Sequence, residues 1–110
     1  MSEEISYKVI KLIEKDPEIS QRELSKQLGV SLGKVNYCMR ALIDKGWVKA
    51  RNFKNSQNKR AYRYIVTPQG VQQRVGLTVR FLKRKMVEYE DLQREIESLR
   101  TEVARSSEDL

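Results

Sequence analysis

The sequence predicts a mainly α fold of the α+β kind, with short helices, a two-stranded hairpin and one long C-terminal helix. Three observations carry this expectation. Two helix starts with side-chain caps, at Ser20 and Ser31, are separated by a glycine stop at Gly29. Two segments rich in aromatic and β-branched residues, WVKAR (47–51) and AYRYIVT (61–67), flank a polar run. Beyond Pro68 no proline occurs again, and apolar residues recur at a seven-residue spacing from residue 75.

Taken in order, Ser2 is placed to cap a first helix, with Glu3 and Glu4 at its positive end. Ile5, Val9, Leu12 and Ile13 mark one buried face. Asp16-Pro17 ends that helix, because the residue before a proline is pushed out of the helical region. Ile19 stands alone between polar neighbours, long enough for one bridge to a sheet. Ser20 and Glu23 make an S-x-x-E capping box, and the helix they open runs to Leu28. Ser31 opens the next helix, which continues to Lys45 and stops at Gly46. NFKNSQNKR (52–60) then reads as a long basic loop between antiparallel strands. Thr67-Pro68 supplies a cap followed by proline at the first helical position. Gly70 and Gly76 weaken that last helix by roughly 1 kcal/mol each relative to alanine and permit a bend. The expected division is residues 1–67 for a helix-and-hairpin domain, 68–106 for the long helix and 107–110 for a disordered tail.

Composition narrows the function. The net charge is +7, but residues 31–86 carry 14 Lys/Arg against a single acid, Asp44, whereas both ends of the chain are net acidic. Confining cations this way costs stability through self-repulsion, and the usual reason is a polyanionic partner. The absence of histidine removes the commonest general acid/base and metal ligand. The one cysteine, Cys38, excludes an internal disulfide or a thiolate metal cluster. No segment approaches the roughly 18–20 apolar residues needed to span a bilayer, and MSEEISYKVI lacks a signal peptide's order. A cytoplasmic binding protein is expected, with no enzyme activity, no cofactor, no metal and no membrane attachment.

The two capped helices carry a more specific pattern. With Gln21 as the first position, apolar residues fall at the fourth, eighth, tenth, fifteenth and eighteenth positions: Leu24, Leu28, Val30, Val35 and Cys38. The fifth is the small Ser25 and the ninth is Gly29. This spacing packs two helices at a steep angle so that the second enters a major groove, and it is the helix-turn-helix pattern. An ordinary helical hairpin shares the apolar spacing, but the small residue, the glycine and the basic hairpin that follows favour the winged form. The expected architecture is therefore a winged helix-turn-helix DNA-binding domain with a two-stranded wing and a long C-terminal dimerisation helix.

The second helix of the pair then exposes Ser31, Leu32, Gly33, Lys34, Asn36, Tyr37 and Arg40. Arg40 suits the two acceptors of guanine, Asn36 the adenine edge and Leu32 a thymine methyl. Gly33 lets the backbone approach phosphate at a helix N-terminus, and Lys34 suits phosphate as a point charge. Tyr37 either half-buries against the wing or touches DNA. In the wing, Lys54, Asn55, Asn58, Lys59 and Arg60, with Gln57, fit insertion beside or into the minor groove. Phe53 packs at the loop base, while Lys49, Arg51 and Arg63 add contacts that position without specifying sequence. Cys38 falls at an apolar site without a resolving cysteine, so a small buried hydrophobe is expected rather than a redox switch.

In the C-terminal helix, Leu82, Tyr89, Leu92, Ile96, Leu99 and Val103 form a seam, clean from Tyr89 to Val103 and interrupted before it by Lys85. A partner helix is the economical cover, and in a parallel pair Glu95 would face Arg100 of the other chain. Folding back on its own domain is the alternative.

These residues carry a resemblance. SQRELSKQLGVSLGKVNYCMRALIDKGWVKARNFKNSQNKRAYRYIVTPQG followed by LTVRFLKRKMVEYEDLQREIE is similar to the MarR-type winged-helix regulators. More narrowly it resembles a small bacterial group associated with exopolysaccharide biosynthesis loci. The resemblance covers roughly residues 5–100 and is most specific in VNYCMRALIDKGWVKARNFKNS and VRFLKRKM. It implies a homodimeric transcriptional regulator of the bacterial cytoplasm that binds double-stranded DNA. The first helix begins almost at residue 1, without the N-terminal extension that builds the dimer and ligand pocket of larger MarR proteins. No small-molecule effector site is therefore carried over. The rival reading, from another class, is a protein-interaction adaptor using a winged helix and a coiled coil, and the concentration of positive charge on residues 31–86 speaks against it.

Overall fold

The computed structural model describes residues 3–53 and 61–108. Its elements follow the order α1 (Glu3–Lys15), α2 (Gln21–Leu28), α3 (Leu32–Asp44), β1 (Val48–Phe53), β2 (Ala61–Val66) and α4 (Pro68–Glu108). The chain divides into two compact units, residues 1–78 and 79–110, with the division falling inside α4. Secondary structure thus changes at residue 68, as the Thr67-Pro68 signal suggests, but the first turns of α4 belong to the first unit. The helix reaches Glu108, past the expected end at residue 106, and the last two residues lie outside the described ones.

Local chemistry explains the element boundaries. Ser20 is extended (φ −80°) and its hydroxyl accepts from the Glu23 amide at 3.0 Å, which is the forward half of the capping box. Ser31 caps α3 in the same way, accepting from the Lys34 amide at 3.1 Å. Gly29 and Gly46 sit in the left-handed region (φ 68° and 77°), where a side chain would be strained. Ser25 has a role the sequence did not suggest. Beyond being small, it donates its hydroxyl to the Val30 carbonyl, closing the turn from the inside.

The core of the first unit gathers Val9, Ile10, Ile13 and Ile19 with Leu24, Val35, Cys38, Met39, Leu42, Val48, Tyr64 and Leu77. The buried face of α1 is rotated from the expected one. Ser6, Val9, Ile10 and Ile13 are buried, while Ile5 and Leu12 only edge the cluster. Contacts from α2, α3 and β2 all fall on α1, so the centre of its buried arc is set by where those neighbours stand.

β1 and β2 pair antiparallel with Val48 opposite Val66, Ala50 opposite Tyr64 and Arg51 opposite Arg63. Val48 and Tyr64 face the core, and the alternate positions Lys49, Arg51 and Arg63 are exposed. The single bridge expected at Ile19 is not formed: Ile19 is buried without strand pairing. The connection meets the sheet at Pro17 instead, whose carbonyl accepts from the Tyr64 amide at 2.9 Å. Proline has no N–H to return the bond, so no two-way bridge develops.

Thr67 joins the end of α3, the sheet and the start of α4. Its amide donates to the Trp47 carbonyl (2.9 Å), and its hydroxyl lies 2.7 Å from the Gly46 carbonyl. The same hydroxyl accepts from the Gly70 amide at 3.0 Å, capping α4. Gly70 is buried here, and a Cβ on it would lie 2.1 Å from the Trp47 carbonyl oxygen. Close approach rather than a bend is what Gly70 provides.

Cys38 is buried between α1 and α3. Burial pushes its thiol above the usual range, offset in part by a hydrogen bond with Ser6 and by the Lys45 charge. The folded state therefore holds this proton more tightly than the unfolded chain. Its contribution is full below the ordinary thiol range and declines as pH climbs through it. We expect Cys38→Ala to lose about 1 kcal/mol in denaturant unfolding and to flatten this alkaline decline. An unaltered alkaline slope in the variant would refute the assignment.

Candidate nucleic-acid interface

α3 has two unlike sides. Val35, Cys38, Met39 and Leu42 are buried, while Leu32, Gly33, Lys34, Asn36, Tyr37 and Arg40 are exposed, with Ser31 at the cap. All seven residues selected from the sequence thus fall outside the core. Tyr37 is 66% exposed, which removes the alternative that it half-buries against the hairpin. Leu32 is 45% exposed although apolar.

Gly33 is informative for what it does not do. A Cβ there would meet nothing within 4 Å, and its φ is not in the left-handed region. Glycine in a helix costs roughly 0.5–1 kcal/mol relative to alanine, and no internal contact offsets that cost at Gly33.

Among the described residues, no ion pair involves Lys34, Arg40, Lys49, Arg51 or Arg63. Arg51 and Arg63 stand directly opposite across the sheet, a like-charge pairing that is mildly destabilising. Some cations elsewhere in the first unit have partners: Lys8 pairs with Glu4 at 3.2 Å, Arg74 Nε donates to Glu14 Oε1 at 2.8 Å, and Lys45 lies 4.7 Å from the centroid of the Trp47 ring. Asn36 differs from its neighbours in being tied down. Its Nδ2 donates to Gln21 Oε1 (3.3 Å), and Gln21 Nε2 donates to the Tyr64 hydroxyl (3.2 Å).

Residues 2–49 match a family model described as winged helix-turn-helix DNA-binding. Among solved structures, the chain is similar to the PcaV transcriptional regulator of Streptomyces coelicolor, at 18% identity and a TM-score of 0.69, covering 96% of this chain and 73% of that one. The chain has a MarR-like winged-helix fold. A MarR transcriptional regulator from Methanosarcina mazei Go1 is similar at 17% identity and a TM-score of 0.63, covering 78% of this chain and 60% of that one. Streptococcus pneumoniae FabT, crystallised in complex with DNA, shares 26% identity at a TM-score of 0.57, covering 83% of this chain and 61% of FabT. The winged-helix chain thus spans less than two thirds of the length of two of these three relatives. Curated protein sequences contain no match to it.

In the winged helix, β1 and β2 are the strands of the wing. Its tip residues Lys54, Asn55, Asn58, Lys59 and Arg60, with Gln57, lie outside the described residues, as does the side chain of Phe53. Within the second unit, Leu82, Tyr89, Leu92, Ile96, Leu99 and Val103 are all exposed. Lys85, on the seam by spacing, lies 5.2 Å from the Phe81 ring centroid and pairs with Glu88 at 3.0 Å. Arg100 pairs with Glu97 of its own helix at 3.3 Å, whereas the sequence suggested Glu95 of a second chain. Among the described residues no group of His, Cys, Asp or Glu is arranged to hold a metal, and no helix is long and apolar enough to cross a membrane.

Proposed function

We propose that this chain is a sequence-specific DNA-binding transcriptional regulator that acts as a homodimer in the bacterial cytoplasm. One observation carries the reading: α3 presents a face of groove-compatible side chains whose cations, like those on the outer strand positions, have no carboxylate partner among the described residues. A surface with unmatched cations is suited to phosphate. FabT, with a related fold, is seen with DNA, which supports the same partner here. Arg40 and Asn36 read base edges, Leu32 and Tyr37 supply apolar contact, and Ser31, Gly33 and Lys34 meet the backbone at the N-terminus of α3. The wing residues 54–60 add minor-groove and phosphate contacts. Leu82, Tyr89, Leu92, Ile96, Leu99 and Val103 pair two copies. The narrower resemblance stated above suggests exopolysaccharide biosynthesis genes as targets.

A gel-shift titration in rising salt tests the partner. Log affinity should fall linearly with log salt, by about 0.9 per phosphate contacted. A flat dependence would favour the protein-adaptor reading. Gly33 supplies a sharper check, because its stability and binding effects oppose each other. Gly33→Ala should stabilise the fold by roughly 0.5 kcal/mol yet weaken DNA binding. A variant that is stabilised and binds as before would remove Gly33 from the interface.

A further inference from the structure

The three side chains Tyr64, Gln21 and Asn36 connect the sheet to the exposed face of α3. We propose that Gln21 and Tyr64 are positioning residues that make Asn36 discriminate adenine from guanine. The proposal rests on the DNA-reading role given to α3 above.

Tyr64 is a fixed end. It is 4% exposed, its register is set opposite Ala50, and its amide is bonded to the Pro17 carbonyl. Gln21 is half-buried in the first turn of α2, immediately after the Ser20 cap, so its backbone is also held. Its amide is bonded at both ends, donating to Tyr64 and accepting from Asn36. Asn36 is itself exposed, so the restraint comes entirely from behind the reading surface.

The consequence follows from counting donors. An asparagine amide has two N–H groups and one carbonyl oxygen. With one N–H committed to Gln21, Asn36 keeps one N–H and its oxygen for a base. Adenine offers one acceptor, N7, and one donor, N6, on its major-groove edge, and matches what remains. Guanine offers two acceptors, O6 and N7, and would need both N–H groups. Gln21 therefore removes the donor that would serve guanine, and it lowers the ordering cost of the productive orientation.

The experiment is selection of DNA sites in vitro by the full-length protein and its variants, followed by affinity measurements on sites differing at one base pair. Wild type should prefer A over G at the base pair that Asn36→Ala de-specifies. Gln21→Ala and Tyr64→Phe should each cut that preference about fivefold to tenfold, raising tolerance of guanine there and leaving other positions unchanged. Tyr64→Phe keeps the buried ring, so the fold is retained. Gln21→Glu, whose carboxylate can accept from both the Tyr64 hydroxyl and the Asn36 amide, should keep the preference while lowering affinity for all sequences. In the Asn36→Ala background neither Gln21→Ala nor Tyr64→Phe should change base preference further.

A purely structural role would weaken binding to every sequence equally, and that result overturns the proposal. So does a preference unchanged in Gln21→Ala, or altered just as much without Asn36. Wild-type protein that binds no DNA with sequence preference would instead overturn the regulator reading itself.

Discussion

Replacing Leu92 and Leu99 together by aspartate in the full chain should yield a folded monomer whose operator affinity falls about a hundredfold or more. Both leucines are 53% exposed, and Tyr89, Ile96 and Val103 continue the same exposed seam. Burying Tyr89, Leu92, Ile96 and Leu99 against a second copy stabilises by very roughly 1.5–3 kcal/mol each before ordering costs. Two aspartates on each helix place four carboxylates at that seam, and leaving them unpaired there is costly. The fold itself should survive, because the core of the first unit ends at Leu77 and includes none of these residues. One winged helix offers a small interface, and pairing two raises affinity through effective concentration. Sedimentation equilibrium reads the first half of the expectation and operator titration the second. A wild-type monomer at micromolar concentration would defeat it, and so would a variant that binds its operator equally well.

The largest stability effect is expected from Gly70→Ala, a destabilisation of about 2–4 kcal/mol. On helix propensity alone alanine should gain roughly 1 kcal/mol at this position. Against that, the new methyl would stand 2.1 Å from the Trp47 carbonyl oxygen and 2.9 Å from Val66 Cγ1. The carbonyl cannot retreat freely, because it accepts from the Thr67 amide, and Thr67 in turn caps α4. Relief requires moving α4 away from the α3–β1 junction and stretching those bonds. Denaturant unfolding should show a lower midpoint at unchanged slope. A neutral or stabilised variant would mean that helix propensity governs the site.

The contrast between Gly70 and Gly33 shows how much a sequence conveys. Both are glycines in helical first turns, and the sequence reads Gly70 as a weakening residue that permits a bend and Gly33 as one that lets the backbone approach phosphate. At Gly70 a neighbouring carbonyl excludes any side chain, whereas at Gly33 there is open space. Nothing local separates them, because the atom that decides the first comes from Trp47, 23 residues away in the chain. The same limit applies to Ser25, whose smallness was legible but whose bond to Val30 was not. Gln21 and Tyr64 carried no signal for the reading surface at all. A first helical residue and a strand tyrosine become connected to Asn36 only when α2, α3 and β2 pack together.

The amino-acid sequence by itself determined the order and boundaries of the helices and strands of the first unit to within a residue or two. Caps at Ser20, Ser31 and Thr67 and left-handed stops at Gly29 and Gly46 act through atoms a few residues apart. Strand alternation and the exposed side of α3 were legible for the same reason, since periodicity is local. Only the tertiary structure decided which arc of α1 is buried, where the sheet meets the α1–α2 connection and why Gly70 must lack a side chain. Each of these depends on contacts between residues distant in sequence, whose geometry is set by packing of whole elements rather than by the propensities of any one of them.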